Sequence, residues 1–299
     1  MFDILYTVLI FSGLMVMFKL FERFKVDNLQ AIAVNYFVAG LCGVIAMNGQ
    51  IEFGGTASAD TPNPHFFIPA ALIIGVLFGI VFNLIAHGTQ KIGISITSVA
   101  NKISLIIPVA VGIWWFNEPS DIIKVAGLAI ALPAIYFSTV TRGKLNIDKK
   151  YIWLLLFIFL GQGIADTTFK VAQVNCVNEV NSPSFFALIF FASGLTGAIF
   201  VVIRLLRKQT KIQMKNILWG ILVGIPNYFT LHFFFKALEE LDASQVYPLV
   251  NMGVIVFLAF IGLFFFREKL SGNNWIGILL ALIAIGLITY SKEILIAFE

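Results

Sequence analysis

"FNEPSDIIKVAGLAIAL", Phe116–Leu132, and "FREKLSGNNWIGILLAL", Phe266–Leu282, are one phrase written twice. Each runs from an aromatic residue through a glutamate (Glu118, Glu268) into an apolar run with a glycine at the matched place (Gly127, Gly277). Sliding the chain by 150 positions adds Asn101/Asn251, Gly112/Gly262, Ala131/Ala281, Leu132/Leu282, Ala134/Ala284 and Ile135/Ile285. Chance would give about three identities over that stretch in so biased a composition. A nearby offset pairs Leu9/Leu160, Phe18/Phe169 and Lys19/Lys170, and another pairs Gly75/Gly220, Gly79/Gly224, His87/His232 and Lys91/Lys236. The sequence therefore reads as two halves, 1–149 and 150–299.

The phrase sits in a chain that is 59% hydrophobic and 12% charged, with a mean hydropathy of +0.94. Soluble domains are about 45–50% apolar and about 25% charged. Runs of roughly 20 apolar residues follow one another from end to end, the length needed to cross a bilayer as helix. Ten spans are predicted, near 2–20, 28–47, 66–87, 93–115, 121–140, 151–173, 183–205, 216–237, 244–266 and 273–291. The class is all-α, a polytopic membrane protein with short connections. The first segment lacks a basic start and a small-residue cleavage site, so it reads as a retained span. Cys42 and Cys176 imply no disulfide framework.

Five spans per half is an odd number. A second copy that begins after an odd number of crossings enters from the opposite face, so the expectation is two inverted five-helix repeats. That architecture places a substrate site near the midplane, between the repeats.

The stretches "SVANKISLIIPVAVGIWWFNEPSDIIKVAGLAIALP" and "SQVYPLVNMGVIVFLAFIGLFFFREKLSGNNWIGILLAL" resemble the drug/metabolite transporter superfamily, its ten-helix EamA-like members best. The resemblance covers essentially the whole chain and implies a transporter rather than an enzyme. It also implies a central cavity surrounded by helices one, three, four, six, eight and nine, with five and ten outside. The embedded glutamate of the first helix of small multidrug resistance proteins has no counterpart here, where Asp3 is the only acid of that span. No Gly-rich nucleotide loop is present, so direct ATP drive is not expected.

Ionisable groups at membrane depth are costly and point to sites. Lys102 lies near the middle of the fourth span with Ser98 and Asn101 beside it, and its repeat mate is Met252. It reads either as an anchor for a substrate carboxylate or phosphate, or as a cation paired with an acid to orient helices. Asp166 in the sixth span is the natural partner, and alone it would be a proton-coupling candidate. Asn251, Tyr247, Tyr228 and Gln162 could complete a polar, aromatic-rimmed cavity. His87 and His232 each precede a lysine by four residues. They read as hydrogen-bonding groups or as coupling and gating groups, and no ligand set completes a metal site. Lys19 and Lys170 end their helices and are expected to snorkel to headgroups. Glu118 and Glu268 are expected to favour the N-termini of the fifth and tenth helices.

The reading is a secondary transporter, an exporter of a small polar metabolite such as an amino acid, working by alternating access. The alternative is a membrane-embedded enzyme or a protein handling lipid headgroups. The partners are a small-molecule substrate and the lipid bilayer of the cell (inner) membrane. No cofactor and no nucleic acid are called for, proton coupling is an option, and the oligomeric state is not read. Cations gather in connections after odd-numbered spans, including Arg23, Lys25, Arg207, Lys208, Lys211 and Lys215, which places both termini outside the cytoplasm. The family resemblance implies both inside.

Overall fold

The computed structural model describes residues 2–49, 62–91, 94–139, 151–265, 271–291 and 294. Its elements are α1 (Phe2–Arg23), α2 (Asn28–Ala46), a 3₁₀ turn (Pro64–Phe66), α3 (Phe67–Lys91), α4 (Ile94–Ile103) and α5 (Ile106–Trp115). They continue as α6 (Ile122–Thr139), α7 (Ile152–Asn175), α8 (Ser182–Leu206), α9 (Met214–Glu240), α10 (Ala243–Phe264) and α11 (Gly272–Thr289). The protein is all-helical among the described residues. Apolar runs in lipid become helices because every backbone N–H and C=O must then be satisfied within the segment. Starts follow local chemistry. Asp27 caps α2 through Leu29 N and Gln30 N, and Ser271 with Asn274 forms a capping box on α11.

Eight of these helices are long and apolar enough to cross a membrane. Two shorter apolar stretches, Ala100–Trp115 and Ile122–Phe137, correspond to the predicted fourth and fifth spans. The fourth span is not one continuous helix. Pro108 has no N–H to offer the carbonyl of Ser104, and its ring crowds that oxygen. The Ser104 carbonyl instead accepts from Ile107 N at 3.0 Å, and Leu105 N reaches Lys102 O at 3.3 Å. The helix is thereby cut between Ile103 and Ile106.

The helices pack in a pattern that repeats. α2 lies against both α8 and α9, while α3 lies against both α8 and α7. α1 packs on α9 and α10, while α7 packs on α3 and on the α4–α5 pair. α6 and α11 pack on each other, with Gly127 against Ile288. Exchanging α1 with α7, α2 with α8, α3 with α9, α4–α5 with α10 and α6 with α11 leaves these partnerships unchanged. Two pairs of glycines let helices approach closely. Gly75 and Gly79 admit Ala192 and Thr196 of α8, and Gly220 and Gly224 admit Val34 and Val38 of α2. Small residues four apart let helix backbones approach closely where no hydrophobic drive operates between them. Ser193 Oγ crosses the first contact to Gly75 O at 3.0 Å.

Charge separates the two ends of the bundle. Arg23, Lys25, Arg204, Arg207, Lys208, Lys211 and Lys215 stand at the end where α1 and α8 finish. Glu118, Asp121, Glu179, Glu239, Glu240 and Asp242 stand at the end where α7 and α9 finish.

Candidate functional site

The expected site residues fall on α4, α7, α9 and α10, and the cut in the fourth span decides how they stand. Asn101 and Lys102 occupy the last turn of α4, where Ser104 Oγ donates to Asn101 O. The Oδ1 of Asn101 is buried and has no hydrogen-bond partner among the described residues. Lys102 is half-buried and pairs with no acid among the described residues. Ser98 lies one turn earlier on α4, with its side chain outside the described residues.

Lys102 is not joined to Asp166. The side chain of Ile107 lies directly against Gly163, which fixes the register of α5 on α7. From that contact Lys102 is five residues one way along the chain and Asp166 three the other, in helices running the same way. At 1.5 Å per residue the axial gap is roughly 12 Å, more than a lysine side chain closes. Asp166 instead accepts from Gln162 Nε2 at 3.0 Å, one turn away on α7. Its backbone carbonyl accepts from Tyr247 Oη at 2.7 Å, which ties α10 to α7. Asn251 turns its amide back to Tyr247 O at 2.9 Å.

Register therefore orders the polar groups by depth. Asp166 and Tyr247 lie nearest the acidic end, Gln162 and Asn251 one turn deeper, Asn101 and Lys102 deeper again. Asn101, Lys102, Gln162, Asp166 and Asn251 each keep part of their surface accessible. Tyr228 stands apart from this series. It is buried, stacked on His232 with centroids 6.1 Å apart, and edge-on to Phe186. Phe234 and Phe169 fill the ground between Tyr228 and Tyr247. His232 has a buried Nδ1 without a partner among the described residues and opens on a cleft of about 220 Å³ at the acidic end, shared with Glu179, Ser182, Phe235, Lys236 and Glu239. His87, its repeat mate, is exposed.

Two expectations are corrected at the acidic end. Lys170 does not snorkel: it is buried, with Nζ 3.6 Å from Glu118 Oε1 and 3.1 Å from Gln173 Oε1. Glu118 does not serve the helix that follows it. Asp121 takes that place, accepting from Lys124 N at 2.7 Å. The Glu118 carboxylate accepts from Ala243 N at 2.9 Å and Ser244 N at 2.8 Å, capping α10 in the second half. Asp242 meanwhile pairs with the buried Lys124 at 3.4 Å. Glu268 lies outside the described residues. Nothing in the local sequence around Glu118 names α10 as its target; the matched Lys19/Lys170 and Glu118/Glu268 positions were the available hint.

Residues 149–290 match the EamA-like transporter family. Over that stretch the chain is similar to the EamA-like family. The resemblance to the drug/metabolite transporter superfamily stands with it, as does an integral, multi-pass place in a membrane. An uncharacterized protein of Haemophilus influenzae is 26% identical to this chain, over 99% of this chain and all of its own length. A solved crystal structure superposes with a TM-score of 0.74 at 13% identity, covering 98% of this chain and 97% of that one. That likeness is one of fold.

Proposed function

We propose that this protein is a secondary exporter of a small polar metabolite, anionic or zwitterionic, such as an amino acid. It works by alternating access between two inverted repeats, 1–149 and 150–299. The interruption of the fourth span carries the reading. Broken helices at membrane depth are tolerated where they line a path, and their ends bind charged groups of substrates. Here, among the described residues, the Lys102 ammonium has no ion-pair partner and the Asn101 amide oxygen no donor, beside the N-terminus of α5. An incoming carboxylate would pair with Lys102, and an ammonium would find Asn101 Oδ1. Gln162, Asp166, Tyr247 and Asn251 supply further polar contacts along the seam, Asp166 being the group available for proton coupling. Tyr228, His232 and His87 stand off this line and are assigned to packing or gating. Support for the inverted arrangement comes from the doubled sequence and from helix partnerships that survive exchange of the halves.

Flux of a metabolite mixture into proteoliposomes, read by mass spectrometry, identifies the substrate. Lys102→Met is then expected to cut that flux by at least about tenfold, the loss of one charge-assisted contact of roughly 1.5–3 kcal/mol, while Lys102→Arg retains part of it. Unchanged flux in Lys102→Met sinks the substrate class.

Charge bias favours the basic end as cytoplasmic. A cysteine at position 2 is expected to react with an impermeant reagent applied to intact cells, and one at position 146 is not. The reverse result inverts the orientation.

A further inference from the structure

Two connections meet at the basic end and are locked together by a ring of hydrogen bonds. Asp27, at the corner between α1 and α2, accepts from Thr210 Oγ1 at 2.9 Å, and its N–H donates to Asn216 Oδ1 at 3.1 Å. Gln30 Nε2 donates to Thr210 Oγ1 at 2.8 Å and to Lys211 O at 3.0 Å, while Gln30 Oε1 accepts from Asn216 Nδ2 at 2.8 Å. Gln30 and Asn216 are buried, so the α8–α9 connection is held firmly on the α1–α2 corner. Lys215 Nζ crosses the same seam to Phe24 O at 3.4 Å.

The clasp consumes the local acid, since Asp27 caps α2 and lies 3.6 Å from Arg204. Arg23, Lys25, Arg207, Lys208, Lys211 and Lys215 are left exposed around it and pair with no acid among the described residues. Two of them stand where the backbone favours glycine. Lys25 (φ 52) and Lys208 (φ 56) follow the ends of α1 and α8 in the left-handed region, and the next N–H of each reaches back to Phe21 O and Arg204 O. Large apolar side chains interleave with these cations: Phe24 is 50% exposed, Ile212 65% and Met214 68%. Trp219, one turn into α9, packs edge-on to Phe21 with centroids 5.6 Å apart and tilted on Phe24 at 5.3 Å. Lysines alternating with exposed apolar residues, above a tryptophan, suit the boundary between headgroups and acyl chains.

We infer that this clasped patch, centred on Lys25, Lys211 and Lys215, binds the headgroups of anionic phospholipids in the adjoining leaflet. The cations take the phosphate charge, and Phe24, Ile212 and Met214 enter the edge of the acyl region beside it. A free phosphate would satisfy the lysines but leave those three side chains in water, which is why the patch is assigned to lipid. The hydrogen-bonded ring is what makes one surface of it, because Lys25 comes from the first half and Lys211 and Lys215 from the second. The inference goes beyond the Lys102 reading and is independent of it.

The test counts bound lipids by native mass spectrometry. The purified chain is mixed with detergent micelles carrying equal amounts of phosphatidylglycerol and phosphatidylcholine, and phosphatidylglycerol is expected to be retained in preference. In Lys25→Gln/Lys211→Gln/Lys215→Gln the ratio of the two is expected to fall at least about tenfold, since each cation beside an anionic surface is worth about a fivefold preference. All three lysines are exposed, so the variant is expected to melt like the native chain without lipid. Should it melt lower, Lys211→Gln alone is used, with a fall of at least about threefold expected. Inorganic phosphate is expected to displace no more lipid than sodium chloride of equal ionic strength. Equal retention of the two lipids, a smaller fall in the ratio, or displacement by phosphate beyond that of chloride overturns the assignment. Transport plays no part in these readouts, so failure here leaves the Lys102 proposal standing, and failure there leaves this one.

Discussion

Gly224→Leu is expected to leave no folded protein, seen as loss of the monodisperse peak in size exclusion from detergent. A Cβ at this position would lie 2.5 Å from Val38 Cβ and 2.8 Å from the backbone oxygen of Asn35. Neither can yield by a rotamer change, since one is the first side-chain atom and the other is main chain. Relief requires moving α2 away from α9, and α2 is held on its other side by α8, where Gly43 meets Ala187 and Pro183. Gly224→Ala alone should cost about 1–3 kcal/mol by overpacking. Leucine adds three more carbons to the same gap. Separation would also strain the bond from Asn227 Nδ2 to Asn35 Oδ1, 3.1 Å long across the same contact. Gly13→Leu and Gly286→Leu are the controls, because no other helix among the described residues comes within 4 Å of a Cβ at either place. If all three variants elute alike, the close α2–α9 contact is wrong.

Lys170→Met is the second large effect, expected to destabilise by about 3–5 kcal/mol, the usual cost of removing one member of a buried ion pair. Both side chains are over nine-tenths buried, so water cannot replace the ammonium beside Glu118. Glu118→Gln/Lys170→Met removes both charges and is expected to be more stable than Lys170→Met alone. The difference between the single and double losses, read by melting in detergent, measures the coupling. Strict additivity would mean that the two groups do not interact. A lysine merely snorkelling to headgroups would show no such coupling.

These two expectations differ in what could be read before the structure was known. Gly75, Gly79, Gly220 and Gly224 were visible as matched pairs, since a glycine spacing of four in an apolar run is a local signal. Which helices they meet was not visible. Lys170 was misread for the same reason. Its position at the polar end of a helix suits headgroups equally well, and only the docking of α5, α7 and α10 brings Glu118 to it. Pro108 is a local signal of a disturbed helix, and in the structure the disturbance is two helices with Asn101 and Lys102 at the break. The supposed Lys102–Asp166 pair failed on register, a quantity fixed by Ile107 packing on Gly163 and by nothing within either segment.

By itself the sequence determined the solvent in which this chain folds. Apolar runs of bilayer length leave a backbone no choice but helix. It also determined the charge separation of the two ends, which follows from loop order once helices are counted. Tertiary structure alone decided partners: which carboxylate caps α10, which lysine is buried, and which polar groups share a depth. Those depend on the relative rotation and sliding of packed helices. Many distant side chains set such displacements together, and no local pattern encodes them.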